Sequence, residues 1–305
     1  MSNNERTDDP AILGRGVNVA DVAVLIPTMG RLQIKTCIDH LATGSTVPTE
    51  LIVVDQSSNP EIEAIVERSA PDATEVRYIA SERTGKSAAL NDGLARVTAS
   101  AVAIVDDDCR PRSDWVAVVA SSLADSPGEV LTGQVHPETE THVPSSFTSG
   151  LAIRHEKPLV SRDVLYGGNM ATSTETMRRV GPFDERSSVR NAEDNDWGYR
   201  ALRLGIPITH VPDMVVTHAA WRDDDELADV YRGYAKSQGG LYGKYIRNGD
   251  AFMALRAVHD LGRGPWVWGR GIIQRDRALR IIGVAYIKHL LPGIVSGFAA
   301  ARREG

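Results

Sequence analysis

Three consecutive carboxylates, Asp106, Asp107 and Asp108, close the apolar run AVAIV at residues 101–105. Like charges side by side at the end of a buried strand repel, and a fold tolerates them most readily where they hold a cation. Hard divalent ions such as Mg2+ or Mn2+ favour carboxylate oxygen, and an ion held there would in turn hold a phosphorylated substrate. The competing reading is a loop whose acids cap the helix opening near Ser113–Asp114. A second acidic group, Glu193, Asp194 and Asp196 in AEDNDW, falls at the predicted start of a helix near 194–204, where the dipole also favours negative charge. His218 ends the run VPDMVVTH, where a lone histidine is either structural or a ligand.

Residues 80–87, ASERTGKS, satisfy a permissive phosphate-loop pattern. Ala80 lacks the backbone freedom of the glycine expected there, Glu82 would put a negative charge in an anion nest, and a phosphate loop gives Asp107 and Asp108 no work. An NTPase or kinase is therefore a minor alternative. Gly85 and Lys86 still open a helix whose N-terminus and cation favour phosphate.

The elements that must position these groups alternate in type. Apolar β-branched runs at 22–26, 51–54, 76–79 and 101–105 are separated by helix-like stretches at 31–42, 60–69 and 85–97. Continuous apolar strands alternating with helices predict a parallel sheet covered on both faces, with ligands at the carboxyl ends of the strands. Pro27–Thr28, Asp55, Ser81–Lys86 and Asp106–Asp108 occupy those ends, so four strands deliver polar groups to one edge. Further strands are predicted near 129–135, 206–211 and 214–217, and the loop at 142–150 is expected to border an acceptor site.

With 305 residues, 42% apolar and 24% charged, the chain can bury a sizeable core as one large domain or two modest ones. Cys37 and Cys109 show neither paired nor metal-type spacing, which predicts a reducing compartment and a packing role for Cys109. The polar N-terminus lacks the apolar core of a signal peptide, and residues 1–19 are expected to be a disordered leader. The net charge is −6, yet residues 262–305 carry eight Lys/Arg against two acids, making that segment electrostatically separate.

Taken in order, VAVLIPTMGR, LIVVDQSS, RTGKSAALNDGL, IVDDDCRP, GPFDERSSVRNAEDNDWGYRALRLG and VPDMVVTH resemble the corresponding segments of family 2 glycosyltransferases of the GT-A fold, over residues 20–220. The resemblance implies an α/β architecture, a Rossmann-like nucleotide-binding mixed sheet flanked by helices, with a helical C-terminal extension. It implies Mn2+- or Mg2+-dependent transfer of a sugar from a UDP, GDP or dTDP donor to a hydroxyl on a saccharide, lipid-linked saccharide or small molecule, and no nucleic acid partner. By the same resemblance Asp106 would contact ribose or metal, Asp108 would be the main metal ligand, and His218 would add a metal or diphosphate ligand. Asp107, Pro27 and Thr28 would line the nucleotide pocket, and Asp55 would accept a hydrogen bond from the base, unless it is the turn former of DQSSNP. Arg83 and Lys86 would be cations for base or phosphate, with solvated surface charges as the alternative. Attack on the anomeric carbon needs the acceptor hydroxyl deprotonated; the family's Glu-Asp motif makes Asp194 the general base and Glu193 the group that orients the acceptor. Gly168 and Asn169 would lie beside the acceptor, and Trp197 and Trp221 would stack on a sugar face or pack in the core.

One base without a second nucleophile predicts a single displacement with inversion, although members of the fold also retain. Two rivals differ in what they require. A sugar-phosphate nucleotidyltransferase would want a glycine-rich first loop, where PTMGRL offers only Gly30 before Arg31; a non-enzymatic glycan-binding protein would not need both acidic clusters.

Beyond residue 220 the pattern is helical. Residues 223–247 predict a capped helix interrupted by Gly239–Gly240, which could act as a lid. Residues 281–300 are apolar except for Lys288 and His289, and those two with Pro292 would be costly in hydrocarbon. An interfacial helix on anionic lipid, or packing on the catalytic domain or in a homodimer, is expected instead. The chain is thus expected to be cytoplasmic, with residues 262–305 as the candidate contact to the inner face of the cell membrane.

Overall fold

The computed structural model describes residues 17–138, 146–219 and 224–301. Most of the expected leader, much of the 142–150 loop and Trp221 lie outside them. Along the chain run β1 (Asn18–Thr28), α1 (Ile34–Ala42), β2 (Thr46–Asp55), α2 (Glu61–Ser69), β3 (Glu75–Ala80), α3 (Lys86–Leu94), β4 (Ala101–Val105), β5 (Cys109–Pro111) and α4 (Trp115–Asp125). They are followed by β6 (Val130–Pro137), β7 (Ile153–His155), β8 (Asn169–Ser173), α5 (Thr174–Val180), α6 (Glu193–Arg203), β9 (Ile208–His218), α7 (Asp224–Arg247), α8 (Ala251–Ile273) and α9 (Arg277–Ala301). β1 takes in the last two residues of the expected leader.

Alternation along β1 explains the layering. Val22, Val24 and Ile26 join one buried cluster with α1, α2 and α4, while Ala23 and Leu25 join another with α3, α5 and α6. A strand buried on both faces must be apolar throughout, as AVAIV in β4 is. The strand order is β3-β2-β1-β4-β8-β6-β9-β5, with β7 also on β9. β1 to β4 pair in parallel as β3-β2-β1-β4, whereas β8 runs antiparallel to both β4 and β6, so the sheet is mixed.

Two local expectations are corrected. The runs at 206–211 and 214–217 form one strand, β9, whose register against β6 shifts between Gly133 and Gln134. Pro212 has no N–H for the ladder, and its carbonyl instead accepts from the Gln134 side chain at 2.6 Å. The segment after Asp108 is also a strand rather than only a helix cap: β5 pairs antiparallel with β9, setting Cys109 opposite His218.

The C-terminal helices pack backbone to backbone. Gly239 and Gly243 of α7 face Leu290 and Ile294 of α9, while Gly293 and Gly297 of α9 face Lys236 and Gly240 of α7, and a Cβ at any of the four would overlap a carbonyl oxygen. Two glycine pairs at i, i+4 spacing let the axes approach closely. Gly239–Gly240 therefore do not interrupt α7, which is continuous; they are its contact surface.

Candidate active site

The carboxyl ends of β1 and β4, the β2–α2 connection, the start of α3, the Gly167–Gly168 turn before β8, the start of α6 and the end of β9 surround one cavity of about 530 Å³. Val230, Tyr234 and Gln238 of α7 and Tyr286 of α9 complete its rim.

The three adjacent aspartates take different partners. Asp106 meets the Lys86 ammonium at 2.5 Å, and the same ammonium lies 3.8 Å from Glu193. Gly85 has φ +104°, which favours glycine, and it is this turn that starts α3 and aims Lys86 at the cavity. Burial would push the Asp106 carboxyl up, but the charge and hydrogen bond of Lys86 outweigh it and hold the carboxyl below its usual range. Lys86, disfavoured as a cation by burial, is held protonated chiefly by Asp106.

Asp107 is tied to the wall of the cavity formed by the β1 end. It accepts from the Thr28 hydroxyl at 2.6 Å and the Arg31 guanidinium at 2.8 Å. Desolvation, only partly offset by Arg31, pushes it up to about 6. Asp108 lies 3.8 Å from Arg31 and 3.5 Å from His218 Nε2.

His218 supplies the test for a cation. Its Nδ1 lies 3.0 Å from the Ala219 carbonyl oxygen, which leaves Nε2 facing Asp108 Oδ1. A carboxylate oxygen and an imidazole nitrogen facing each other at 3.5 Å are a donor set that a divalent ion takes. Cys109 Sγ belongs to the same cluster, and burial raises its thiol well above the ordinary range; a hard cation favours the oxygen and nitrogen donors beside it. Asp108 and His218 are thus the residues that fit a hard or borderline divalent cation.

On the opposite wall, Asp194 accepts from the N–H of Gly167 at 3.0 Å and of Asn195 at 2.8 Å. A Cβ on Gly167 would lie 2.7 Å from the Asp194 Cβ, and one on Gly168 would lie 2.5 Å from Asp106 Oδ2. The glycine pair therefore lets both carboxylates close on one stretch of backbone. Glu193 is buried, and desolvation followed by the Asp194 charge pushes it up to about 8. Asp194 is also raised, by burial, against the pull of Lys86 and its two N–H donors. Burial thus makes both carboxyls of this adjacent pair more basic than solvated ones.

Of the other expected residues, Pro27 and Thr28 line the cavity. Asp55 is buried at the end of β2, accepting from Ser57 N–H at 2.8 Å and Tyr78 O–H at 2.8 Å, next to the cavity residue Gln56. Arg83 points elsewhere, pairing with Asp92 and Glu185 on the exposed side of α3. Trp197 is a core residue: fully buried, stacked on Phe183 and donating to the Gly181 carbonyl at 3.0 Å, so it presents no face to a sugar. Asn169 is likewise structural, its amide bridging the Gln134 and Met214 carbonyls while accepting from Trp115. Of the residues expected on the acceptor side, Gly168 lines the cavity, Asn169 and Trp197 do not, and Trp221 lies outside the described residues.

Sequence reasoning missed Arg31, Gln56, Gly167 and a polar network behind Asp194. Asn195 donates to Gln238 at 2.9 Å, Gln238 to Asp163 at 3.2 Å and to Tyr242 at 2.9 Å, and Asp163 takes both guanidinium nitrogens of Arg256 at 2.6 and 2.9 Å. The glycine doublet and the lone cation after Thr28 were available as signals. Asp163 and Arg256 are too far apart in sequence to offer one.

The family model described as glycosyl transferase family 2 matches residues 23–185. The chain is 26% identical over 210 residues to glycosyltransferase AglE of Haloferax volcanii, covering 65% of this chain and 67% of that protein. Among solved structures, TarS 1–349 of S. aureus in complex with UDP superposes with a TM-score of 0.54 at 14% identity, over 93% of this chain and 92% of that one. GalNAc-T7 with UDP, GalNAc and Mn2+ superposes with a TM-score of 0.52 at 15% identity, over 75% of this chain and 51% of that one.

Proposed function

The chain belongs to glycosyl transferase family 2, a glycosyltransferase with the GT-A-type mixed sheet, and from that premise we propose that it moves a sugar from a UDP-sugar to an acceptor hydroxyl by a single inverting displacement that uses a divalent ion. The observation that carries this reading is the meeting of two acidic groups, Asp106–Asp108 and Glu193–Asp194, on opposite sides of the Gly167–Gly168 backbone in one cavity. UDP as the nucleotude carrier follows the UDP in the TarS and GalNAc-T7 structures, and the Mn2+ of the latter supports an ion at Asp108 and His218.

In this mechanism Pro27, Thr28 and Gln56 border the nucleotide, with Asp55 retaining lone pairs for a base N–H. A bound divalent ion would supply neutralisation of the charge that develops on the departing diphosphate. Lys86 offers a second positive charge beside it, and its pairing with Asp106 keeps that ammonium in place before the donor arrives. Asp194, which burial makes more basic than a solvated aspartate, is assigned the proton of the attacking hydroxyl. Protonated Glu193 can donate a hydrogen bond to the acceptor, which fits a positioning task. No second nucleophile is needed, so the anomeric centre inverts. The two free cysteines, both buried, fit a reducing cytoplasmic setting.

The test is nucleotide release from a panel of UDP-, GDP- and dTDP-sugars with saccharide acceptors. The wild type should turn over UDP-sugar, and Asp194→Asn should lose about 10²-fold or more in kcat with UDP affinity retained. Full activity in that variant, or turnover of another nucleotide class in preference, would overturn the assignment.

A further inference from the structure

Independently of the donor chemistry, α8 and α9 present a surface that the fold leaves uncovered. Most of the exposed large apolar side chains among the described residues fall on these two helices. On α8, Leu255, Val258, Leu261, Trp266, Trp268 and Ile273 occupy about 160° of the circumference at ~100° per residue. Val258 is 68% exposed, Trp266 60% and Ile273 83%. The opposite side of α8, with Met253, Ala257 and Val267, is buried. On α9, Ile287, Leu291 and Val295 continue the uncovered surface, while its glycine face is spent on α7.

Charge selects the occupant. Arg263 and Arg270 lie along one side of the apolar arc of α8, and Arg270 lies 4.8 Å from the Trp266 ring centroid. Arg275, Arg277, Arg280 and Lys288 are exposed around the α8–α9 turn and along α9. The acids in residues 251–301 are Asp260, buried against Tyr242, and Asp276 in the turn. A second copy docking here about a two-fold axis would bring like charges together. An anionic bilayer complements them, with tryptophans suited to the headgroup level and arginines reaching the phosphates. We infer that the α8–α9 surface is a monotopic membrane-docking face for a bilayer containing anionic lipid, with α8 lying in the interface. α9, although long and apolar enough to cross a membrane by length and composition, stays packed on α7.

The experiment is co-sedimentation of the full chain with phosphatidylcholine vesicles with and without phosphatidylglycerol, read together with tryptophan emission. The account expects pelleting with the anionic vesicles, release by high salt, and a blue shift of emission. Arg263→Gln with Arg270→Gln should lower the partition coefficient about fivefold per arginine. Trp266→Ala with Trp268→Ala should lower it on the order of tenfold and remove the blue shift. Circular dichroism of both variants should match the wild type, and so should UDP binding of the tryptophan variant, because Trp266 and Trp268 do not line the cavity. Equal partition into both vesicle types, no pelleting, or a stable dimer in sedimentation equilibrium that the tryptophan variant dissociates would overturn the proposal. A wild type that pellets as expected but does not bind UDP would count against the donor assignment instead.

Discussion

Replacing Glu193 with glutamine should stabilise the protein increasingly as pH rises. The folded carboxyl is pushed up to about 8, first by desolvation and then by Asp194. An unfolded glutamate ionises near 4.3, so between these values the folded state holds a proton that the unfolded state has released. Stability therefore falls as pH rises through that window, by about 1.4 kcal/mol per pH unit, reaching about 4 kcal/mol at pH 7 and about 5 kcal/mol above pH 8. Glutamine keeps the shape and neutral hydrogen bonding of the protonated acid and does not titrate. Urea unfolding of both proteins at pH 5, 6, 7 and 8 should show the gap between them widening by about 2 to 3 kcal/mol from pH 5 to pH 7. In parallel, kcat/KM of the wild type should decline above pH 8 as Glu193 ionises, whereas Glu193→Gln should lack that basic limb. A gap that does not change with pH, or a variant that loses stability as pH rises, would refute the reasoning.

Lys86→Met strands Asp106 without its counter-ion and should cost about 3 kcal/mol of stability, measured by thermal unfolding, with UDP affinity reduced in calorimetry. Trp197→Ala removes a fully buried indole and should cost about 3 to 5 kcal/mol, while the acceptor KM of enzyme assayed well below its melting temperature stays unchanged. A selective rise in that KM would restore the sugar-stacking role.

The half of the fold built from strictly local patterns was legible. VAVLI, LIVV and AVAIV could only be doubly covered strands, and the polar residues at their ends had to share an edge. What composition could not convey was pairing across long separations. The β5–β9 register that sets His218 beside Asp108 joins residues more than a hundred apart, and the Asp163–Arg256 pair links elements with no shared pattern. Glycine misled in one place and was underused in another. In α7 it reads as a break, but contact with α9 makes it a packing surface; Gly167 goes unnoticed beside Gly168 until Asp194 is seen against it. Trp197 and Asn169 carry side chains suited to sugars, yet burial commits both to the core. Arg83, adjacent to the right turn, is drawn off by Asp92 and Glu185.

The account depends most on Asp108 and His218 together holding a divalent ion beside the donor diphosphate. Calorimetric titration of UDP into the wild type and into Asp108→Asn, each with Mn2+ and with chelator, tests this directly. The account predicts UDP uptake that requires the ion in the wild type and disappears in the variant. Equal UDP affinity with and without the ion, or ion-assisted binding that survives in Asp108→Asn, would contradict it.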